Sequence, residues 1–419
     1  MVKKQTALIG ISFIVFIVLS CVLLFVFLSN MESVNDIQRL PRMSIILKDV
    51  SYDEIKEGDK ETEYSNNMVR ISDGKSFDVI PDVVVKGRGN STWLQDKKPL
   101  QIEFKNKISL LNMGKSKKWI LIANALDDSN LRNEAAFYLE YLLDGNSIIK
   151  EEPVELYIDD KYEGLYYLTR KIKIGRDLVS LRNNEGVLVE LDNLNSGDNE
   201  CYYTKNGNCL VLKDIVFDEV AEQSMKDFVK CFDDAEEAIK DGNWKRIEEL
   251  IDVDSFARYF ILSELTINPD AYASSLYFYK DGEEDKIHVG PGWDFDYAFN
   301  NKRWMWDDEY KAEPDVVIAG KERSSLIFRW FYDLAENDEF NDRVKSIFIK
   351  RMFGRKNDLI RAIENKRAVI RNAAIKNNEF WGLNNFDEST EELIEWIKLR
   401  YEFMEKRVVD DSGFIMRVI

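Results

Sequence analysis

Histidine is nearly absent from this chain, because His288 is the only one among 419 residues. Serine hydrolases need a histidine beside the nucleophile, and zinc hydrolases commonly need several imidazole ligands. The lack of histidine therefore excludes most serine-hydrolase and zinc-hydrolase schemes. Chemistry in this protein has to rest on other side chains.

Basic residues are in the minority: 58 Lys and Arg face 76 Asp and Glu, which gives a net charge of -18. Proteins that bind nucleic acids neutralise phosphates with Lys and Arg, so this balance argues against a nucleic-acid partner. Only 7 prolines and 20 glycines are present, and no low-complexity linker stands out. With 45% hydrophobic residues, the chain can bury a large core.

Long hydrophobic runs are missing except at the N-terminus, where one begins at Leu8 and ends at Leu28. Its length suits a helix that spans a bilayer. Lys3 and Lys4 precede it, so the positive-inside rule predicts a single-pass membrane protein with a cytoplasmic N-terminus and an extracytoplasmic main domain. A cleaved signal peptide is the alternative, although its apolar core is usually shorter and no small-residue cleavage site follows this run.

Cysteine is scarce as well, and outside the hydrophobic run it occurs only at Cys201, Cys209 and Cys231. Asn206 and Gly207 lie between the first two, and Asn-Gly is the strongest short signal for a β-hairpin. The spacing predicts a disulfide between Cys201 and Cys209 across that hairpin. Three unpaired cysteines are the alternative.

What the chain does contain is a rigid Gly-Pro-Gly turn followed by two acids, in the sequence GPGWDFD at residues 290–296. In an extended segment, residues two apart face the same way, so Asp294 and Asp296 can direct both carboxylates at one cation. Oxygen ligands suit magnesium or manganese. A solvated acidic turn is the alternative, but Trp293 makes it less suitable because a solvated turn has little use for a large aromatic.

A second informative stretch is the strand at residues 83–86, which runs into the glycine-bearing loop Gly87-Arg88-Gly89. Two glycines allow backbone N–H groups to approach a phosphate. Further on, Pro99 holds Lys98 extended, which places this lysine on the face of the next strand that carries its apolar residues, and an inward-facing lysine needs an anionic partner. A plain hairpin is the alternative interpretation.

Asp270 follows a predicted helix end and a proline, directly before a strand. The strand belongs to a hairpin that ends near Asp294, and a hairpin brings its two ends together. Asp270 and Asp294 are therefore predicted to meet at one side of the sheet, although a helix-terminating Asp explains Asp270 equally well. Glu190 and Asp192 form another same-face acidic pair, for which an exposed sheet face is an equal explanation.

Helices account for most of the rest. Ser129 is predicted to cap one helix and Asp254 another, residues 218–250 have an amphipathic helical pattern, and residues 324–409 are predicted to be helical. The aromatic residues of this last region are predicted to lie in the core rather than to form a ligand platform.

Six motifs, in this order, resemble the CotH spore-coat kinase family: RGNSTW at 88–93 with KKP at 97–99, LNMG at 111–114 with KW at 118–119, LRN at 131–133, GLY at 164–166, NPD at 268–270, and GPGWDFD at 290–296. The match runs from about residue 83 to residue 300. The resemblance implies an atypical protein-kinase-like fold that binds ATP with magnesium or manganese. It also implies phosphorylation of Ser or Thr on surface or coat proteins.

The resemblance further implies roles for single residues. Asp270 would be the catalytic acid, and Lys98 would act with it by holding the ATP phosphates. Metal binding would fall to Asp294 and Asp296. The residues implied to bind the nucleotide beside Lys98 are Arg88, Asn90, Ser91 and Trp293.

Two residues depart from the family pattern. Arg170 stands where a Glu is expected, and Ser275 stands where kinase-like sites often carry an Asn for a second metal. Either departure is compatible with weak activity or with none. Two other functions therefore stay open: a kinase-derived surface protein that binds a partner or cell-envelope component without catalysis, and a metal-dependent phosphohydrolase that uses the same aspartates.

The sequence thus predicts an α+β protein with a mixed or antiparallel sheet core of the atypical protein-kinase-like kind, a C-terminal helical subdomain and one preceding transmembrane helix. The expected divisions are 1–30 for the cytoplasmic stub and anchor, 31–42 for a tether, 43–320 for the kinase-like core and 321–419 for the helical subdomain of the same domain. The expected function is that of a membrane-anchored Ser/Thr protein kinase that depends on ATP and a divalent metal.

Overall fold

A computed structural model describes residues 40–73, 76–143, 149–194, 200–303, 314 and 329–409. The prediction of a single-pass membrane protein is wrong by the structure: none of the helices in these ranges is long and apolar enough to cross a membrane. The hydrophobic run from Leu8 to Leu28 lies outside the described residues. The predicted divisions at residues 30, 42 and 320 stay predictions.

Seven strands form a closed barrel: β1 (Arg42–Ile46), β2 (Tyr64–Ser72), β3 (Phe77–Gly87), β4 (Leu100–Ser109), β5 (Lys115–Ile122), β6 (Glu151–Ile158) and β7 (Lys161–Arg170). Their order around the barrel is β1-β2-β3-β4-β5-β7-β6. Neighbours are antiparallel except β1 and β6, whose parallel pairing closes the barrel. The predicted sheet core is thus a barrel.

The two faces of the barrel strands have different roles, because successive side chains point to opposite sides of a strand. Leu100, Ile102 and Phe104 of β4 point into the barrel and form its own core with residues of the other strands. The outer residues Ile120 of β5 and Tyr167 of β7 belong instead to the large core of the rest of the molecule. The barrel therefore presents its outer β5 and β7 face to the second half of the protein.

A five-stranded sheet forms the second half, from β8 (Val187–Leu191), β9 (Tyr202–Tyr203), β10 (Cys209–Ile215), β11 (Leu276–Lys280) and β12 (His288–Val289). Its order is β12-β11-β8-β10-β9, and its neighbours are antiparallel. The hairpin around Asn206-Gly207 joins β9 to β10, and Cys201 and Cys209 are bonded as predicted, while Cys231 is free.

Nine α-helices lie in the described ranges, some against the barrel and others against the five-stranded sheet. The structure contains α1 (Tyr52–Glu57), α2 (Arg132–Leu142), α3 (Ala221–Lys240), α4 (Trp244–Leu250), α5 (Val253–Thr266), α6 (Trp330–Ala335), α7 (Asp338–Arg351), α8 (Lys356–Trp381) and α9 (Phe386–Val409). The C-terminal region is helical as predicted, and its aromatic residues lie in the core, where Trp330 stacks 4.3 Å from Phe232 between ring centres.

The two predicted helix caps differ from the observed ones. Helix α5 is capped by Asp252, whose carboxylate accepts a hydrogen bond from the Ser255 amide at 2.7 Å, and Asp254 lies in the first turn. Helix α2 begins at Arg132 rather than after Ser129. The Ser129 hydroxyl instead donates to Asp127, 2.6 Å away, within the turn that leads into the helix.

Candidate active site

Helix α2 holds the acidic loop at residues 290–298 through its buried polar side chains. The Asn133 side-chain oxygen Oδ1 accepts a hydrogen bond from the Phe295 amide at 3.0 Å, and the Asn133 side-chain nitrogen Nδ2 donates to Asp296 Oδ1. Earlier in the loop, the Gly292 amide donates a hydrogen bond to Glu140 Oε1 of the same helix at 2.9 Å. The loop is therefore fixed at three points to one helix.

Aromatic packing supports the same contact. The ring of Phe137, on α2, stacks on Trp293 with the centres 6.0 Å apart and meets Phe295 edge-on at 6.1 Å. Gly292 is required where the loop passes helix α5, because a Cβ there would lie 2.8 Å from a methyl group of Leu262. Trp293 thus packs behind the acids, as its position in the sequence suggested.

The two acids of the loop do not form a regular extended pair. Asp294 has a φ of +65°, in the left-handed region, so the segment turns at this residue. Asp294 is exposed, whereas Asp296 is buried. The bend is held by Asn268, whose side-chain amide donates to the Asp294 carbonyl at 2.9 Å, and by Ser275, whose hydroxyl donates to Asp294 Oδ2 at 3.2 Å.

Three carboxylates nevertheless share one electrostatic environment. Burial and the charge of Asp294 raise the pKa of Asp270 to about 7. Burial and Asp294 likewise raise the pKa of Asp296 to about 7, although the hydrogen bond from Asn133 lowers it. Asp294 is exposed, although burial still raises its pKa. The space beside Asp294, between the acidic loop and the loop after strand β3, is called the cleft below. The site is thus rich in negative charge that lacks full compensation.

The loop after strand β3 faces these carboxylates. The Arg88 guanidinium lies 5.6 Å from the ring centre of Trp293, and its charge lowers the pKa of both Asp294 and Asp296. Ser91 forms a hydrogen bond with the Tyr297 side chain. The structure therefore brings Arg88, Ser91 and Trp293 together with the acids.

Within the same loop, Gly89 and Asn90 have structural contacts. Gly89 has a φ of +80°, and a Cβ there would lie 2.1 Å from the Thr92 hydroxyl oxygen, so only glycine fits. The Asn90 side-chain oxygen accepts a hydrogen bond from Lys60 Nζ at 2.5 Å. Lys60 thereby connects the loop to the segment that follows helix α1.

Lys98 has a different environment from the expected one. Its Nζ donates to the Trp93 carbonyl at 2.6 Å and lies 5.1 Å from the Trp93 ring centre. Burial lowers its pKa, Asp96 raises it and Lys56 lowers it, and this one carboxylate, Asp96, is not among the three acids of the site. The buried neighbour Lys97 donates to the Leu165 carbonyl at 2.6 Å. Neither lysine contacts the aspartates in the described structure, so the role of Lys98 stays a prediction.

Glu190 and Asp192, the other acidic pair, are buried, which excludes the explanation of an exposed sheet face. Glu190 forms an ion pair with Lys213 at 2.5 Å and raises the pKa of Asp294, so it lies beside the site. Asp192 accepts a hydrogen bond from the Ser274 hydroxyl at 2.9 Å. The sequence left both residues undecided; the available signal was the apolar residues Val187, Leu188, Val189 and Leu191 around Glu190 on what the structure shows to be strand β8, which Asp192 directly follows.

A family model described as CotH kinase protein matches residues 85–404, which is more than half of the chain. The chain belongs to the CotH kinase protein family. A solved structure of the Helicobacter pylori proinflammatory kinase CtkA is similar at 10% sequence identity and a TM-score of 0.33, over 75% of this chain and 95% of that one. No curated protein matches the chain.

The departure at Arg170 has a structural explanation in this CotH-family protein. Arg170 is buried at the end of β7 and forms an ion pair with Asp177 at 2.9 Å. Its Nη1 also lies beside Gly114, where a Cβ would come within 3.0 Å of it. Arg170 thus connects the barrel strand to neighbouring turns, and the described structure gives it no contact with the aspartates.

The carboxylates of this CotH-family protein do not by themselves provide a full coordination shell for a metal within the described residues. In the described ranges, no group of three or more His, Cys, Asp and Glu side chains is arranged as a complete metal site. Magnesium, however, is usually held by one or two carboxylates together with substrate phosphates rather than by a full protein cage. Asp294 and Asp296, with raised pKa values and Arg88 opposite, fit such a shared site.

Glu140 leads to a testable prediction about stability. Burial raises the pKa of Glu140 to about 8, although the Gly292 amide and Arg258 lower it. An unfolded Glu titrates at ~4.3, so the folded protein holds the proton of Glu140 more tightly than the unfolded chain does. The stabilisation that this proton provides is fully present below pH ~4.3 and is lost as the pH rises through about 8. Glu140→Gln keeps an oxygen for Gly292 and cannot ionise. We expect it to be more stable than the wild type at pH 9, by up to roughly 5 kcal/mol, because a pKa raised from ~4.3 to about 8 is worth roughly 1.4 kcal/mol per pH unit.

The measurement is urea unfolding of both proteins at pH 5 and pH 9, with Glu57→Gln at an exposed position as the matched control. The control should follow the wild type at both pH values. An equal loss of stability between pH 5 and pH 9 in Glu140→Gln and wild type would show that Glu140 does not carry this dependence.

Proposed function

We propose that the protein is a kinase that transfers the γ-phosphate of ATP to Ser or Thr side chains of other proteins and depends on magnesium or manganese. The observation that supports this most is the arrangement of charge: Arg88, on the loop after β3, lowers the pKa of Asp294 and Asp296, and Asp294 in turn raises the pKa of Asp270. Cations on one wall and carboxylates on the other suit a polyphosphate chain with a bound metal. Surface or coat proteins are the substrate class implied by the family resemblance.

The roles follow from the positions of the side chains. Asp294, exposed in the cleft, and Asp296, held by Asn133, would hold the metal together with phosphate oxygens. When bound, the metal neutralises phosphate charge and orients the chain for transfer. The Ser275 hydroxyl on Asp294 Oδ2 fixes the orientation of that carboxylate.

Asp270 is proposed to accept the proton of the attacking hydroxyl. Its pKa of about 7 is close to the operating range that suits a general base. The residue sits on a tight turn, where its amide donates to the Asn268 side chain at 3.3 Å. Asn268 also holds the Asp294 carbonyl, so one amide side chain sets the relative position of the two acids.

The test is to incubate the purified protein with ATP labelled on the γ-phosphate and a general acceptor protein, with and without a metal chelator. We expect metal-dependent label on the acceptor or on the protein itself. Free phosphate without labelled protein would instead indicate a phosphohydrolase. Metal-dependent nucleotide binding without either product would favour a kinase-like binding protein. The observation that favours this second candidate is that Ser275 stands where an Asn for a second metal is expected.

A further inference from the structure

Four cationic side chains lie along the outer face of the barrel that adjoins the cleft. Lys86 alternates with the inward residue Val85 on β3, and Arg88 follows two positions later. Lys118 alternates with the inward Trp119 on β5. Lys171 directly follows β7, and its amide donates to the Lys118 carbonyl at 3.1 Å, so it continues the same ladder.

These four residues, together with Lys213 of β10, are called the barrel cations below. Three of the five already hold a carboxylate: Lys86 pairs with Glu61 at 2.5 Å, Lys118 with Glu103 at 2.9 Å, and Lys213 with Glu190 at 2.5 Å. Lys171 and Arg88 have no ion pair within the described residues. Lys171 and Arg88 are therefore the barrel cations whose charge no ion pair of the described residues compensates.

Lys171 is the more unusual of the two. It is partly buried, and burial lowers its pKa to about 8, with further lowering by Lys213, Lys118, Arg88 and Lys86. A partly buried ammonium whose strongest electrostatic neighbours are all cations is unfavourable by itself. An anion that enters this position would relieve the repulsion, so the arrangement suits a ligand with several negative charges.

The barrel cations also adjoin the carboxylates. The Arg88 guanidinium lies 5.6 Å from the ring centre of Trp293, the residue before Asp294, and Lys213 holds Glu190 at 2.5 Å. A ligand that touches Lys171 and Arg88 would thus have its opposite side toward Asp294. By contrast, Lys98 faces a carbonyl and an aromatic ring.

We propose that Lys171, with Arg88, binds the phosphate chain of the nucleotide, the role for which the family resemblance selected Lys98. This inference rests on the proposed function, since it names the side chains that take the triphosphate at that site. A charge-assisted hydrogen bond to a phosphate is worth roughly 1.5–3 kcal/mol, which corresponds to a loss of about 10- to 100-fold in affinity when the lysine is removed.

The experiment compares Lys171→Met, Lys98→Met and the surface control Lys226→Met in the whole protein. Methionine keeps the length of the side chain and removes its charge, so Lys171→Met also removes the repulsion among the barrel cations. Calorimetry gives the affinities for ATP with magnesium and for adenosine. We expect Lys171→Met to lose about 10- to 100-fold for ATP and little for adenosine, Lys98→Met to lose less, and Lys226→Met to behave as the wild type.

A second measurement does not depend on the folding of a variant. Trace acylation of the wild type, followed by peptide mapping, reports how strongly magnesium-ATP protects each lysine. We expect greater protection of Lys171 than of Lys98.

Three outcomes separate the inference from the function on which it rests. If the wild type binds ATP, and Lys171 is both protected and needed, the inference is supported. If the wild type binds ATP but the loss and the protection fall on Lys98, the inference is overturned while the kinase proposal stands. If the wild type binds no nucleotide, both are overturned.

Discussion

Replacing Asp294 by asparagine is expected to lower the rate of phosphoryl transfer by at least ~10³-fold and to weaken ATP binding in the presence of magnesium. The side chain of Asp294 is exposed, and the charge of Arg88 lowers its pKa. Without its charge, the polyphosphate would enter a site that lacks the compensation provided by the metal. The measurement is transfer of label from γ-labelled ATP together with the ATP affinity at several magnesium concentrations.

Asparagine is a better substitution than alanine at this position. Asp294 has a φ of +65°, a conformation that asparagine tolerates and alanine does not. Asp294→Asn also leaves in place the backbone carbonyl that accepts from Asn268. A loss of activity would then report on the charge and not on a collapsed loop.

Asp241→Asn, at the exposed C-terminal end of helix α3, is the matched control and should retain full activity. If Asp294→Asn transfers phosphate at the rate of the control, the proposed metal role of Asp294 is wrong.

Replacing Asp270 by asparagine should have the second largest effect: a rate lower by ~10²- to 10⁴-fold with little change in ATP affinity. Asparagine cannot accept the proton of an attacking hydroxyl, but it preserves size and the backbone hydrogen bond of the turn to Asn268. Loss of the charge should also lower the pKa of Asp294, since the two carboxylates repel each other, so metal binding should be kept. The expected pattern therefore differs from that of Asp294→Asn.

Single-turnover transfer at saturating magnesium-ATP, combined with a direct affinity measurement, separates the two variants. For Asp270→Asn, a rate constant within a few-fold of the wild type would exclude a role for Asp270 as the base. A large loss of ATP affinity with an unchanged rate at saturation would instead move Asp270 into nucleotide binding.

Much of the local structure could be predicted from the sequence. The Asn206-Gly207 hairpin and its Cys201–Cys209 bond depend on residues close together in the chain, and the structure confirms both. The helical C-terminal region follows from a strong helical period. Strands β11 and β12 form the predicted hairpin, and Asp270 and Asp294 lie before and after it. The charge of Asp294 raises the pKa of Asp270, as expected for two residues that the hairpin brings together.

The environment of Lys98 could not be predicted in the same way. The alternation that puts Leu100, Ile102 and Phe104 on one face is present, but that face lines the interior of a barrel and not the cleft. Closure of the barrel depends on the pairing of β1 with β6, more than a hundred residues later in the chain, and no local pattern reveals it. Lys86, Lys118 and Lys171 belong to the outer side of three different strands or strand ends, so they come together only in the fold.

The geometry of the acidic loop was also beyond local reasoning. The prediction assumed an extended segment, whereas Asp294 adopts a left-handed conformation that is held by Asn268 and Ser275 from distant parts of the chain. Asn133 of helix α2 supplies the contact to Asp296 from more than 160 residues away. Such contacts decide which way each carboxylate points. The alternation of side chains along a strand does not contain this information.

Closure of the seven-stranded barrel also affects how the protein associates with itself. An unpaired strand side can recruit a strand from another molecule, and proteins often avoid this with very short outer strands. The barrel has no such side, and the five-stranded sheet ends on β9 and β12, which are only two residues long each. Any shortened form of the protein therefore has to retain Arg42–Ile46, since its removal would leave one side of β2 and one side of β6 unpaired and prone to intermolecular aggregation.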